Sequence, residues 1–90
     1  HLYTVLVDQE AAGRSRDELR QALHDRGVAT SVHFTALHLF PFYAERLGLA
    51  RGMFPNAEFV SDRTMSLPLS PSMSDADVEH VVGALRALLR

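Results

Sequence analysis

Ninety residues with 47% hydrophobic and 22% charged content suit one soluble globular unit and leave no room for a second core. A formal net charge of −2 supplies no basic stripe for nucleic acid or anionic lipid, and no apolar run approaches the roughly 18 residues needed to cross a bilayer. There is no cysteine, which excludes disulfides, thiolate catalysis and cysteine-held zinc, and no lysine, since all nine basic residues are arginine, which excludes any covalent chemistry of a side-chain amine.

A domain this small buries only about 60–65% of the surface its unfolded chain exposes, so a neighbour or an oligomer is expected over its apolar faces. The chain opens on His1-Leu2-Tyr3 rather than methionine, which fits a piece of a longer protein. No charged-then-apolar leader opens it, so the expected setting is soluble and cytoplasmic.

From Leu2 to Val7 the residues are nearly all apolar and β-prone, the pattern of a strand covered on both faces. Asp8 to Gly13 reads as a polar loop. Ser15-Arg16-Asp17-Glu18 matches a capping box, in which the serine oxygen accepts a backbone N–H and the glutamate reaches back. A helix is therefore expected from about Arg16 to Arg26, with Leu19, Ala22 and Leu23 inward and Gly27 as a left-handed cap. Ala29 to Phe34 alternates, with Thr30, Val32 and Phe34 on one side and Ala29, Ser31 and His33 on the other, which predicts a second strand with one polar face.

Thr35 to Phe40 is a connection, after which Pro41 pre-sets the first turn of a short helix over Phe42 to Leu47, stopped by Gly48. Leu49 to Met53 reads as a loop. Pro55 opens another helix to about Arg63, and Met65 to Leu69 predicts a third strand whose Pro68 lacks a ladder donor. Ser74 caps a last helix with Val78, Val81, Val82, Leu85, Leu88 and Leu89 as its apolar stripe. Gly83 inside that helix costs roughly 1 kcal/mol relative to alanine, which is expected to mark a close neighbour.

This order builds an α/β (α+β) fold, a two-layer open sandwich with a small, mostly antiparallel sheet and helices on one face. The other face, bearing Ser31 and His33, is left for something beyond these residues. His33 and His38 are the leading candidates for chemistry. They lack the spacing and the nearby third ligand of a zinc site, so no metal is expected. One reading makes them polar residues hydrogen-bonded at a strand end; the other projects them into a cleft as donors to an anionic ligand. Phe34, Phe40, Phe42 and Tyr43 surround them as core, with the Tyr43 hydroxyl suited to a cleft edge. Arg63 fits a contact with a helix C-terminus, or alternatively a forked grip on a carboxylate. No spacing supports a catalytic triad or paired carboxylates, and the five glycines stand singly, so no phosphate loop is present.

The segment from Gly27 to Phe34, followed by Ala36-Leu37-His38 and Phe42-Tyr43, resembles the small-domain signature of the nucleotide-sugar aminotransferases of the DegT/StrS type, which use pyridoxal phosphate. The likeness continues through Phe54-Pro55-Asn56-Ala57-Glu58, Ser66-Leu67-Pro68-Leu69-Ser70-Pro71 and the start of the last helix at Ser74-Asp75-Ala76-Asp77-Val78, covering nearly the whole chain.

The resemblance implies that residues 1–90 are the single C-terminal small domain of a fold-type-I enzyme that works as a homodimer. Its pyridoxal phosphate would be held by a large domain, absent here, that carries the lysine. The reaction implied is amino transfer, from glutamate, to a nucleotide-linked keto-sugar, with this fragment inactive alone and binding no cofactor. His33, His38 and Tyr43 match positions on the cleft wall and are assigned to contact with the sugar nucleotide, with no catalytic residue assigned. Thr35-Ala36 stands where prolines are common in the family, which bears on the aim of His38. The competing reading is a stand-alone ferredoxin-like module that binds a small ligand or dimerises through the Ser31–His33 face.

Overall fold

The computed structural model describes residues 1–89. In chain order these form β1 (Tyr3–Leu6), α1 (Gln9–Ala12), α2 (Arg16–Asp25), a 3₁₀ turn at Leu37–Leu39, α3 (Pro41–Leu47), α4 (Pro55–Arg63), β2 (Thr64–Leu67) and α5 (Asp75–Leu88). The fold is thus a mixed α/β unit in which β1 and β2 pair antiparallel, Val5 opposite Met65 and Tyr3 opposite Leu67.

Residues directly opposite in an antiparallel pair share a face. Val5, Met65 and Leu67 accordingly join Val7 on the side that packs with Leu19 and Leu23 of α2, Val28 and Ala84 of α5. That is the core, and it is small. Val81, Leu85 and Leu88 close over it from α5, so the inward seam of that helix runs through 81, 84, 85 and 88, at the three- and four-residue steps of one helix face. The predicted stripe is therefore divided: Val78, Val82 and Leu89 are exposed. Gly83 has no close neighbour among the described residues either, because a methyl group added there meets none of them within 4 Å.

The helix starts follow their sequence signals. Ser15 Oγ accepts the Glu18 N–H at 3.2 Å while Glu18 Oε2 accepts the Ser15 N–H at 2.7 Å. Ser74 and Asp77 repeat the arrangement for α5. Gly27, at φ +78°, ends α2 in the left-handed region that glycine enters without a Cβ clash. Its neighbour Val28 donates to the Leu23 carbonyl at 2.9 Å and is itself buried. Ser15→Ala is expected to cost about 1 kcal/mol, seen as a lower urea midpoint with an unchanged slope.

Three expectations are corrected. The Asp8–Gly13 loop contains a helical turn, because the Asp8 carboxylate accepts the N–H groups of Glu10 and Ala11. β1 is covered on one face only, since Leu2, Thr4 and Leu6, on the side away from Val5 and Val7, are exposed. Most consequential, Ala29–Phe34 is not a strand. It meets the sheet at a single bridge, where Ser31 and Ser66 exchange both backbone hydrogen bonds at 3.2 and 2.7 Å.

The ladder cannot extend from that bridge in either direction. Antiparallel register places Ala29 opposite Pro68, which has no N–H to give. On the other side His33 falls opposite Thr64, whose N–H already bonds the Val60 carbonyl at the end of α4. The Thr64 carbonyl is taken as well, by the Arg16 guanidinium at 2.7 Å. Arg20 further diverts the segment by binding both Oγ1 and the carbonyl of Thr30. Phe34 is 71% exposed instead of packing on the helices.

Candidate functional site

Two residues of α4 hold the stretch that carries His38. Ser61 and Glu58 lie one turn apart and so share a helix face. Ser61 Oγ accepts the Ala36 N–H at 2.9 Å, and Glu58 Oε2 stands 3.1 Å from His38 Nε2. Arg16 bonds the Ser61 carbonyl at 3.0 Å as well as Thr64, tying the last turn of α4 to the start of α2. The 3₁₀ turn is thereby fixed to the same framework as the core.

His38 is 4% exposed and Glu58 7%. A carboxylate only accepts, so Nε2 carries the hydrogen in this pair. The ring edge also rests on Phe54, with centroids 4.9 Å apart and planes at 63°. Glu58 gathers further donors from the loop before its helix: the Gly52 N–H lies 2.9 Å from each oxygen, and the Phe54 N–H 3.2 Å from Oε2. Gly52 reaches that position at φ +100°, where a side chain would strain the backbone. Arg51 approaches Glu58 to 3.5 Å and grips Asp62 with both terminal nitrogens at 3.0 and 3.2 Å.

These donors hold the Glu58 carboxyl below the usual carboxylate range. The Gly52 N–H is the largest cause, burial opposes it, and the bonds from His38 and Phe54 add to the lowering. Asp62 is lowered too, first by its hydrogen bond from Arg51. Glu58 is the neighbour of His38 that sequence spacing did not reveal, twenty residues away and brought to it only by the fold. Its signal was local: an acid four residues after Phe54, just inside a helix opened by Pro55, is placed to accept the N–H groups that a helix start leaves free.

The predicted site residues do not all converge. His38 and Tyr43 line one apolar concavity of about 440 Å³, with Leu37, Leu47, Phe54 and Ala57 around them. Tyr43 is 40% exposed and meets Phe42 edge to face at 5.1 Å. His33 is exposed, packs edge-on against Phe34 at 4.8 Å, and lies outside that concavity. The aromatics predicted as core are exposed instead: Phe34, Phe40, Phe42 and Tyr43 all present apolar surface to solvent. Arg63 stacks over Phe59 at 3.9 Å and bonds the Phe59 carbonyl at 3.1 Å, so it serves the last turn of α4.

Among the described residues no cluster of three or more metal-type ligands occurs. The absence of lysine likewise leaves no side-chain amine to bond an aldehyde cofactor. What the arrangement offers is a rigidly held imidazole and a phenol in an apolar hollow.

Comparison with known proteins places this geometry in context. The model of the DegT/DnrJ/EryC1/StrS aminotransferase family matches residues 1–86. The chain is 45% identical over 91 residues to the spore coat polysaccharide biosynthesis protein SpsC of Bacillus subtilis, a match that covers all of this chain and 23% of that protein. Among solved structures, the aminotransferase TlmJ from Streptoalloteichus hindustanus superposes with a TM-score of 0.76 at 37% identity, over 96% of this chain and 21% of that one. Spr1654 of Streptococcus pneumoniae, described as a sugar aminotransferase and solved in a PMP form, gives a TM-score of 0.84 at 28% identity, over 98% of this chain and 22% of that one. The chain thus spans less than a quarter of the length of these relatives.

Proposed function

The chain belongs to the DegT/DnrJ/EryC1/StrS aminotransferase family, and from that premise we propose that it is the C-terminal small domain of a longer pyridoxal-phosphate enzyme. In that enzyme an amino group passes from an amino acid, glutamate, to a keto-sugar carried on a nucleotide. The enzyme is a homodimer of the cytoplasm, and this domain forms one wall of its cleft.

The observation that carries the reading is the hollow containing His38 and Tyr43. Apolar side chains left this exposed on a small domain call for another body against them, and polar groups set among them supply the points at which a polyhydroxylated ligand is held. His33, on the exposed stretch beyond the Ser31 bridge, contributes a further polar group at the same wall. None of the three makes or breaks a bond.

The residues present offer no side-chain amine to which pyridoxal could be bonded, because no lysine is among them. Pyridoxal phosphate, where it is bound, supplies the electron sink for amino transfer. The 90 residues bind substrate and close the cleft, and by themselves should be inactive. No helix among the described residues is long and apolar enough to cross a membrane, in keeping with a substrate met in aqueous solution.

The test is direct. The full-length protein, given pyridoxal phosphate, glutamate and a panel of nucleotide-linked keto-sugars, is expected to yield an amino-sugar nucleotide and an equal amount of 2-oxoglutarate by mass spectrometry. The 90-residue chain under the same conditions should yield neither. Consumption of glutamate without an aminated sugar from any member of the panel would overturn the acceptor class.

A further inference from the structure

We propose that Glu58 is a positioning residue for substrate recognition: it fixes the His38 ring with Nε2 as donor and leaves Nδ1 facing the hollow as an acceptor for a sugar hydroxyl. The proposal rests on the assignment of His38 to the substrate wall and adds to it the group that decides which ring nitrogen the substrate meets.

The geometry supports it from both sides of the contact. On one side the carboxylate cannot turn away, because the Gly52 and Phe54 N–H groups converge on it at 2.9 and 3.2 Å. On the other the ring is held by the Phe54 edge contact and by the Ala36–Ser61 bond two residues earlier. The side chains of the pair are 5% and 9% exposed, so water does not compete for the 3.1 Å contact.

Nδ1 has a different environment. It makes no hydrogen bond to any described residue, and the one sealed polar side-chain atom without a partner among those residues is Ser66 Oγ. Nδ1 is therefore not fully sealed, and His38 is among the residues that line the hollow shared with Tyr43. A neutral imidazole that donates from Nε2 accepts at Nδ1. An ionised Glu58, which its backbone donors favour, can only accept, and so keeps a hydrogen on Nε2. Opposite it, a hydroxyl donor is the complementary ligand group, and a sugar supplies several.

Glu58→Gln keeps one acceptor oxygen but sets an N–H donor among the Gly52, Phe54 and Arg51 donors, so that the oxygen is no longer fixed towards the ring. In the full-length enzyme, with the half-reactions measured separately in single turnovers, this variant should lower kcat/KM for the keto-sugar nucleotide about tenfold, the scale of one misdirected hydrogen bond. The half-reaction with the amino donor should move less than about twofold, within the scatter of changes remote from the contact. Added to His38→Ala it should cause little further loss, because one residue acts through the other.

Equal losses in both half-reactions, or full additivity with His38→Ala, would overturn the positioning role while leaving His38 at the wall. A His38→Ala enzyme with an intact keto-sugar step would overturn the wall assignment and the positioning role with it. Should Glu58→Gln fail to fold, selective ¹⁵N-histidine NMR on the unsubstituted full-length protein decides the matter: the Nε2–H tautomer is expected, and an Nδ1–H ring excludes the proposal.

Discussion

Replacing His38 by alanine in the full-length enzyme is expected to lower kcat/KM for the keto-sugar nucleotide by roughly 30- to 100-fold, the equivalent of about 2–3 kcal/mol. Two losses combine in that figure. The substrate forfeits a hydrogen bond in a largely apolar hollow, where water substitutes poorly for it. The Glu58 carboxylate also loses a ring donor while remaining buried beside Phe54, which loosens the 50–54 loop that borders the hollow. The half-reaction with the amino donor should fall far less, because the small amino acid needs no contact at this wall. Equal losses in the two half-reactions would remove His38 from the substrate side and leave it as a structural imidazole.

Tyr43 and His33 differ from His38 in ways that sort their effects. Tyr43 shares the hollow and is partly exposed; its hydroxyl is free to meet a ligand without disturbing the fold. His33 sits exposed between the Ser31–Ser66 bridge and the Ala36–Ser61 bond, and among the described residues its ring has no hydrogen-bond partner comparable to the Glu58 carboxylate at His38. His38 alone of the three is fixed before any ligand arrives, which is why the largest effect is assigned to it.

Much of this was legible in the amino-acid sequence, for a physical reason that the failures also expose. Ser15–Glu18, Gly27, Pro41, Gly48 and Pro55 act through neighbours within four residues, and the helices begin and end where those local signals place them. The core members Leu19, Leu23 and Val28 follow from the same periodicity. The second predicted strand failed because its fate was decided at long range. Alternation from Ala29 to Phe34 favours a strand, but ladder formation needs free partners on β2, and Pro68, the end of α4 and the Arg16 guanidinium remove them.

The exposed aromatics failed for a related cause. Phe34, Phe42 and Tyr43 were read as core because apolar residues in density are core when the chain must cover them itself. Here the chain does not. The carboxylate beside His38 was hidden by the same separation in sequence, since nineteen residues of helix and loop lie between the partners of that pair.

Leu23→Ala should be the most damaging single truncation in the domain. Leu23 is 0% exposed and lies among Leu19, Val28, Met65 and Ala84, where α2, the sheet and α5 meet. Removing a fully buried leucine side chain costs about 2–5 kcal/mol, through lost transfer energy and the cavity left behind. A domain of this size has a total stability of about 5–15 kcal/mol, and a small one lies toward the lower end. The substitution is therefore expected to bring the 90-residue chain close to its unfolding threshold, seen as a large fall in urea midpoint or loss of the cooperative transition. Leu47→Ala makes the informative contrast. Leu47 is 66% exposed on the rim of the hollow, so in the chain alone its removal should shift stability by less than about 0.5 kcal/mol. In the full-length enzyme the same substitution removes apolar surface from the wall that the rest of the protein covers, and the cost should rise. A Leu47→Ala penalty identical in both settings would mean that nothing packs on this rim, and the hollow would then have to be completed from another side.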